Sequence, residues 1–152
     1  MALNLRAEPR YLPHGYIYAW ARSGESAGGF WGVADQAVAV YTPGTDSHDP
    51  LFIYSTRDPR AELIGTESRA GEKVDLGTHG TGIYHDGLWK LGPGHDQQAV
   101  GDLVLHWDVG NVHSLRFRSG GLLFAVRGSR TRGVTRDELV KVARSLAVHG
   151  VA

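Results

Sequence analysis

The histidines of this sequence are candidate metal ligands. Eight histidines are spread over 152 residues, with no cysteine among them. Zinc and similar ions need three or four nitrogen or oxygen ligands to converge. His79 and His85 flank a glycine-rich stretch and His95 follows it, so a metal site built from these three is one hypothesis. No HxxxH or HExxH spacing supports it, and histidines that face water at turns and strand edges are the alternative.

Acid–base catalysis is a second chemistry that the residue types offer. Asp86 with Asp96, or Asp102 with Asp108, could form a carboxylate pair. Aspartate in glycine-rich stretches more often serves turn geometry. The absence of cysteine excludes thiol nucleophiles, disulfides and cysteine-ligated metals. A small metal-dependent or acid–base enzyme is therefore an alternative function, no catalytic residue is assigned, and no cofactor is expected.

A basic stretch lies just ahead of a well-signalled helix. Arg130 and Arg132 precede Thr135, the expected first cap of that helix. Helix N-termini attract anions because their free amides and dipole point outwards. An anionic headgroup or phosphate held by these three residues is one interpretation, and a plain capped loop is the other. The formal net charge is zero, so no nucleic-acid partner is expected.

Aromatic residues define a third candidate surface. Tyr16, Tyr18 and Trp20 alternate along one predicted strand, which would place them on one face. A curved sheet that a single helix covers incompletely would leave an apolar groove for an acyl chain or a partner segment. We expect the walls of such a groove to be the four tryptophans, Trp20, Trp31, Trp89 and Trp107. The alternative is that these rings fill the core under the helix.

Strand patterns dominate the rest of the chain, since β-branched and aromatic runs alternate with glycine-containing turns. Asp86-Gly87 lies between two such runs and predicts a hairpin. Residues 108–111 and 118–121 predict two more turns. The predicted strands are residues 16–22, 31–41, 51–55, 73–76, 82–84, 88–91, 103–107, 112–118 and 122–127.

One helix is predicted over residues 136–147. Thr135 and Glu138 have the spacing of a capping box, and Val134 with Leu139 that of a hydrophobic staple. An apolar stripe at helical spacing follows, formed by Leu139, Val142, Ala143 and Leu146. The fold class is therefore α+β, mostly β, in a single domain over residues 1–152. We expect a curved antiparallel sheet of roughly seven to nine strands, an open half-barrel, with one C-terminal helix packed on it.

Both ends of the chain carry a recognisable pattern. Residues 11–16 read Tyr-Leu-Pro-His-Gly-Tyr, and the Trp107 strand is followed by a turn, an apolar strand and the helix pattern of residues 134–146. Residues 11–147 thereby resemble a bacterial domain-of-unknown-function family found in extracytoplasmic anti-sigma-factor-like and lipoprotein-carrier-like proteins, with residues 1–10 as a leader segment. The resemblance implies an open half-barrel that meets lipid-linked ligands. It carries over no catalytic residues.

Taken together, these patterns favour a non-enzymatic, extracytoplasmic-type binding or sensing domain. Its partner would be an apolar ligand or lipid, or a protein. A structural interaction module that dimerises through an edge strand is a further alternative. The sequence has no apolar run long enough to span a membrane and no signal-peptide-like apolar region near its start. We expect an extracytoplasmic location if an anchor or signal was removed, and a cytoplasmic one otherwise.

Overall fold

The computed structural model describes residues 6–24, 30–31, 33–44, 49–63, 71–95, 97–100, 102–129 and 134–149. Alternation of β-branched, aromatic and polar residues makes most of these residues extended. The elements are β1 (Ala7–Pro9), β2 (Tyr16–Ser23), β3 (Phe30–Trp31), β4 (Ala37–Pro43), β5 (Leu51–Thr56), β6 (Glu62–Leu63), β7 (Glu72–Asp75), β8 (Thr81–Leu91), β9 (Gln97–Val100), β10 (Leu103–Ser119), β11 (Leu122–Ser129), α1 (Arg136–Ser145) and β12 (Leu146–Val148).

Eight strands form one antiparallel sheet that does not close into a barrel. Its order is β2-β4-β5-β11-β10-β8-β7, and β9 pairs with the start of β10. The short strands β1 and β12 pair with each other, as do β3 and β6. The protein is mostly β with one helix near the C-terminus packed on the sheet. The predicted fold class is confirmed.

The helix packs on one side of the sheet, which we call the helix face. Leu139, Val142 and Ala143 are fully buried there against Leu115 and Phe124, as the apolar stripe predicted. Further members of this core are Ile53, Phe117, Leu122, Val126, Val134 and Leu146. Removing this much apolar surface from water is the main source of stability in a domain of this size.

Local signals place the start of α1 where it was predicted. The Thr135 hydroxyl accepts a hydrogen bond from the Glu138 amide at 3.2 Å. The Glu138 carboxylate accepts from the Tyr11 hydroxyl instead of reaching back to the cap. The helix ends at Ser145, two residues earlier than predicted, because Leu146 becomes extended and starts the strand that pairs with β1.

A buried histidine and a glycine fit the start of the helix onto the sheet. His113 Nε2 donates to the Val134 carbonyl at 2.8 Å, and its Nδ1 accepts from the Tyr84 hydroxyl at 2.8 Å. A Cβ on Gly128 would lie 2.8 Å from Val134 Cγ1, so glycine there makes room for Val134. His113 is fully buried, which identifies it as a structural residue.

The opposite side of the sheet, which we call the open face, is covered over only part of its width. Phe30 and Ala61 pack over Tyr54 and its neighbours on β4, β5 and β11. On β10 the side chains of this face are Ser114, Arg116 and Arg118, and Lys73 of β7 lies in the same row as Arg116. The face is therefore apolar towards β4 and basic towards β7.

Two predicted turns are wrong. The Asp86-Gly87 hairpin and the turn at residues 108–111 do not form, because β8 and β10 run straight through both segments and pair with each other. A bulge between Asp108 and His113 absorbs the irregularity. Gly87 lies opposite it with a φ of 106°, and a Cβ there would lie 2.4 Å from the Asp108 carbonyl oxygen. The glycine permits the close approach of β8 and β10 at this point.

Candidate functional site

The strand β2 lies at one end of the eight-stranded sheet and exposes large apolar side chains. Ile17, Tyr18 and Trp20 are 51%, 45% and 40% exposed. Among the described residues, β4 is the only strand that pairs with β2 in this sheet. An edge strand carries a row of backbone amides and carbonyls that an additional strand can satisfy. The β2 edge therefore combines apolar contact area with hydrogen-bonding capacity.

A bulge divides β2 and changes the faces that were predicted for its aromatic residues. The register shifts between Tyr18, opposite Tyr41, and Trp20, opposite Val40. One extra residue reverses the alternation of faces. Tyr18 therefore contacts Tyr41 on the helix face, with ring centroids 5.9 Å apart, while Trp20 lies on the open face under the Arg22 guanidinium at 4.7 Å. The expectation that Tyr16, Tyr18 and Trp20 share one face is wrong.

Two buried tyrosines anchor β2 to the body of the protein. The Tyr16 hydroxyl donates to the Asp49 carbonyl at 2.8 Å. Burial raises the pKa of Tyr16 above its ordinary value, and the Asp49 charge adds to this. Burial, with the Glu8 charge, raises the pKa of Tyr41 to about 12. Both phenols stay protonated at physiological pH, so the anchoring of this edge does not change with pH near neutrality.

The other end of the sheet is built differently. The strand β7 has four residues, and its side chains except Val74 are exposed and polar. Glu72 forms a 2.7 Å ion pair with Arg136 of α1, and the Asp75 carbonyl accepts from the Arg144 guanidinium at 2.7 Å. Short, charged edges that a neighbouring element ties down resist pairing with other chains. Within the described residues, β2 is twice as long, at eight residues, and Arg22 is its only charged side chain.

Two of the four predicted groove tryptophans, Trp20 and Trp107, lie far apart in the sheet. Trp20 belongs to β2 and Trp107 to β10, with β4, β5 and β11 between them, a separation of about 19 Å at the usual strand spacing. Trp107 is 8% exposed, and the centroids of its ring and the His85 ring are 6.1 Å apart. The backbones of Trp31 and Trp89 lie in β3 and β8, and their side chains fall outside the described part of the chain.

The three predicted metal ligands are also separated. His79 packs on Phe117 on the helix face, and its ring nitrogens bond Ser119 Oγ and the Leu146 carbonyl, both at 2.8 Å. His85 is buried on the open face, and His95 is exposed between β8 and β9. Among the described residues, no three metal-ligating side chains form a group. His79 instead ties the end of α1 to the sheet.

The predicted anion site is described only at Thr135. Its hydroxyl caps α1 as stated above, and Arg130 and Arg132 lie outside the described residues. The sequence also contains a Gly-x-Ser-x-Gly match at residues 24–28. A nucleophile elbow needs a strand followed by a helix. Residues 25–28 of the match lie outside the described part of the chain.

The β8–β10 bulge opens a pocket that the sequence did not predict. It has a volume of about 390 Å³ and is lined by Gly71, Glu72, Tyr84, His85, Asp86, Trp107 and Val109. The turns predicted at Asp86-Gly87 and at residues 108–111 would have placed these residues in different hairpins. Their proximity depends on the pairing of β8 with β10, which the local sequence does not show. The pocket is a shallow opening beside the polar β7 edge.

Comparison with protein-family models, with curated proteins and with solved structures finds no match for this chain. Within the described residues, no helix combines the length and the apolar character needed to cross a membrane.

Proposed function

We propose that this chain is a non-enzymatic binding domain that holds an extended segment of a partner protein along β2. The observation that carries the proposal is the exposure of Ile17, Tyr18 and Trp20 on an eight-residue edge strand. Strand addition supplies main-chain hydrogen bonds, and alternate side chains supply specificity. The β7 edge is only four residues long, and its exposed side chains are polar, so it offers no apolar contact area of this kind.

The chemistry of β2 also selects the kind of partner. Arg22 is the charged residue of this strand, and β2 contains no aspartate or glutamate. An extended segment with alternating apolar side chains and an acidic residue near Arg22 complements it. A second copy of the chain would bring no acidic residue from its own β2. An acyl chain would leave the edge amides without acceptors.

The experiment selects extended peptides from a displayed random library on the wild-type chain. The affinity of each peptide is then measured for Tyr18→Lys and Trp20→Lys, because a lysine on an edge strand opposes pairing. Leu91→Lys is the matched control, since Leu91 is 68% exposed on β8. We expect both β2 variants to lose at least about tenfold in affinity, or about 1.4 kcal/mol, and the control to bind as the wild type does.

Hydrogen exchange of the peptide complex locates the binding surface. We expect new amide protection in residues 16–23. Peptides that bind the lysine variants as tightly as the wild type would overturn the proposal. So would a chain that is dimeric at micromolar concentration and becomes monomeric on Tyr18→Lys, because the partner of β2 would then be a second copy. An extracytoplasmic sensing role, which the family resemblance implies, would place the partner outside the cytoplasm.

A further inference from the structure

We propose a second site, independent of the β2 edge, that binds a phosphate-sized oxyanion on the open face. Ser114 and Arg116 of β10 form its floor, and Arg127 of β11 forms one side. The ligand class is inorganic phosphate or the terminal phosphate of a small phosphomonoester. The site is distinct from the basic stretch ahead of α1.

The Ser114 hydroxyl is the first observation. Ser114 is 1% exposed, and its Oγ has no hydrogen-bond partner among the residues that the structure describes. A buried hydroxyl without a partner costs free energy, since it has left water and gained nothing. An oxygen atom of a bound anion would accept its proton and remove that cost.

Arg116 is the second, independent observation. Its side chain is partly buried, and its Nε has no partner within the described chain. A guanidinium has five donors and no acceptor. A partly buried guanidinium whose Nε has no partner within the described residues is stabilised when an anion joins it. Its planar fork matches two oxygens of a phosphate.

The register of the sheet brings further positive charge to this point. Ser114 lies directly opposite Arg127 on β11, and Arg116 lies opposite Ala125. Arg127 and Arg116 are therefore diagonal neighbours, with backbones about 7–8 Å apart. The Arg127 guanidinium lies over the Tyr54 ring at 5.6 Å, which restricts its motion.

The surroundings favour an oxyanion over a cation or an apolar ligand. Lys73 and Arg118 lie on the same face near Arg116. Glu72, the neighbour of Lys73 in β7, points to the helix face and pairs with Arg136. Two guanidinium groups and one hydroxyl offer more donors than the two oxygens of a carboxylate can accept in one plane, so a tetrahedral anion with more oxygens suits them better.

The experiment titrates the full chain with inorganic phosphate by calorimetry at constant ionic strength. The variants are Arg116→Gln, which removes the guanidinium, and Ser114→Ala, which removes only the hydroxyl and is safe for folding. Arg60→Gln is the matched control, because it removes the same charge from a side chain that is 88% exposed. We expect about a 10- to 100-fold loss of affinity for Arg116→Gln, a loss of several-fold for Ser114→Ala, and none for the control.

Nuclear magnetic resonance of the arginine Nε–H groups gives a second readout. We expect the Arg116 resonance to move on phosphate addition and to be unaffected by the same concentration of chloride. Tighter binding of glycerol phosphate than of inorganic phosphate would identify the monoester as the source. Absence of binding at tens of millimolar phosphate, or equal losses in Arg60→Gln and Arg116→Gln, would overturn the proposal. Binding of a DNA oligonucleotide in preference to phosphate would also overturn it.

Discussion

Leu115 and Arg116 are neighbours on β10, and they show how differently the two faces of the sheet are used. Leu115 is fully buried under α1, within a core of aliphatic and aromatic side chains. Arg116 points to the open face, partly buried and without a partner for its Nε among the described residues. One strand thus supplies a stabilising residue and a candidate binding residue one position apart. The helix face provides stability, and the open face can tolerate polar groups that serve binding.

The largest effect we predict is on the helix face. Leu115→Ala should lower the free energy of unfolding by about 2–5 kcal/mol, because it removes buried apolar atoms and leaves a cavity beneath α1. Urea unfolding monitored by tryptophan fluorescence measures the change.

Ser114→Ala is the control for this prediction, one residue away on the opposite face. It should leave the free energy of unfolding unchanged or slightly raised, since the lost hydroxyl has no partner within the described chain. Equal destabilisation by the two substitutions would contradict the distinction between the faces.

The second prediction concerns the cap that fixes where α1 meets the helix face. Thr135→Ala should cost about 1 kcal/mol, because the Glu138 amide loses its acceptor. Thr135→Ser keeps the hydroxyl and should recover most of the loss. Thermal unfolding followed by circular dichroism measures both variants. A wild-type melting temperature for Thr135→Ala would mean that tertiary packing alone positions the helix.

The helix was predictable because its signals are local. The Thr135 cap, the Val134 and Leu139 positions and the apolar stripe all lie within residues 134–146, and the structure confirms each of them. The early end at Ser145 was not predictable, since it depends on pairing between Leu146–Val148 and Ala7–Pro9. That contact joins segments at opposite ends of the chain.

The strands were predictable as extended segments, but their connections were not. Asp86-Gly87 has the composition of a hairpin turn, yet β8 continues through it because β10 pairs along both halves. The bulge at Tyr18 likewise depends on the register with β4 and reverses the face of Trp20. For the candidate sites, the sequence singled out Trp20 as the wall of a groove but gave no sign of the edge strand that carries it. It could not show that Trp107 lies several strands away.

The third prediction tests an ion pair at the margin of the sheet. We expect this pair to contribute less to the free energy of unfolding than the burial of Leu115 does. Arg6 forms a 2.5 Å ion pair with Asp35, and its guanidinium also donates to the Ser55 carbonyl at 3.4 Å. Burial raises the pKa of Asp35. Hydrogen bonds from Arg6 and from the Arg57 amide lower this pKa by more than burial raises it, so it lies below the ordinary 3.8. Asp35→Asn should destabilise the protein modestly at neutral pH, because the carboxyl is partly exposed and solvent screens the pair.

The pH dependence of the stability difference between wild type and Asp35→Asn tests the direction of the Asp35 pKa shift. A carboxyl with a lowered pKa stabilises the folded state fully above pH 3.8 and loses this contribution as the pH falls through its folded pKa. The difference between wild type and Asp35→Asn should therefore be constant from pH 5 to 7 and shrink below about pH 3.8. Urea midpoints at several pH values measure it. A difference that grows on acidification would contradict the assigned pairing.

The smallest effect we predict is at Arg116 itself. Arg116→Met replaces a guanidinium whose Nε has no partner among the described residues with an apolar side chain of similar length, and such replacements are often neutral or stabilising. We expect an unfolding free energy equal to or slightly above that of the wild type when phosphate is absent. With phosphate present, the wild type should gain stability because the anion binds only its folded state, while Arg116→Met should gain none. A loss of more than about 1 kcal/mol in phosphate-free buffer would mean that Arg116 stabilises the fold as Leu115 does, and the two faces would then differ in composition alone.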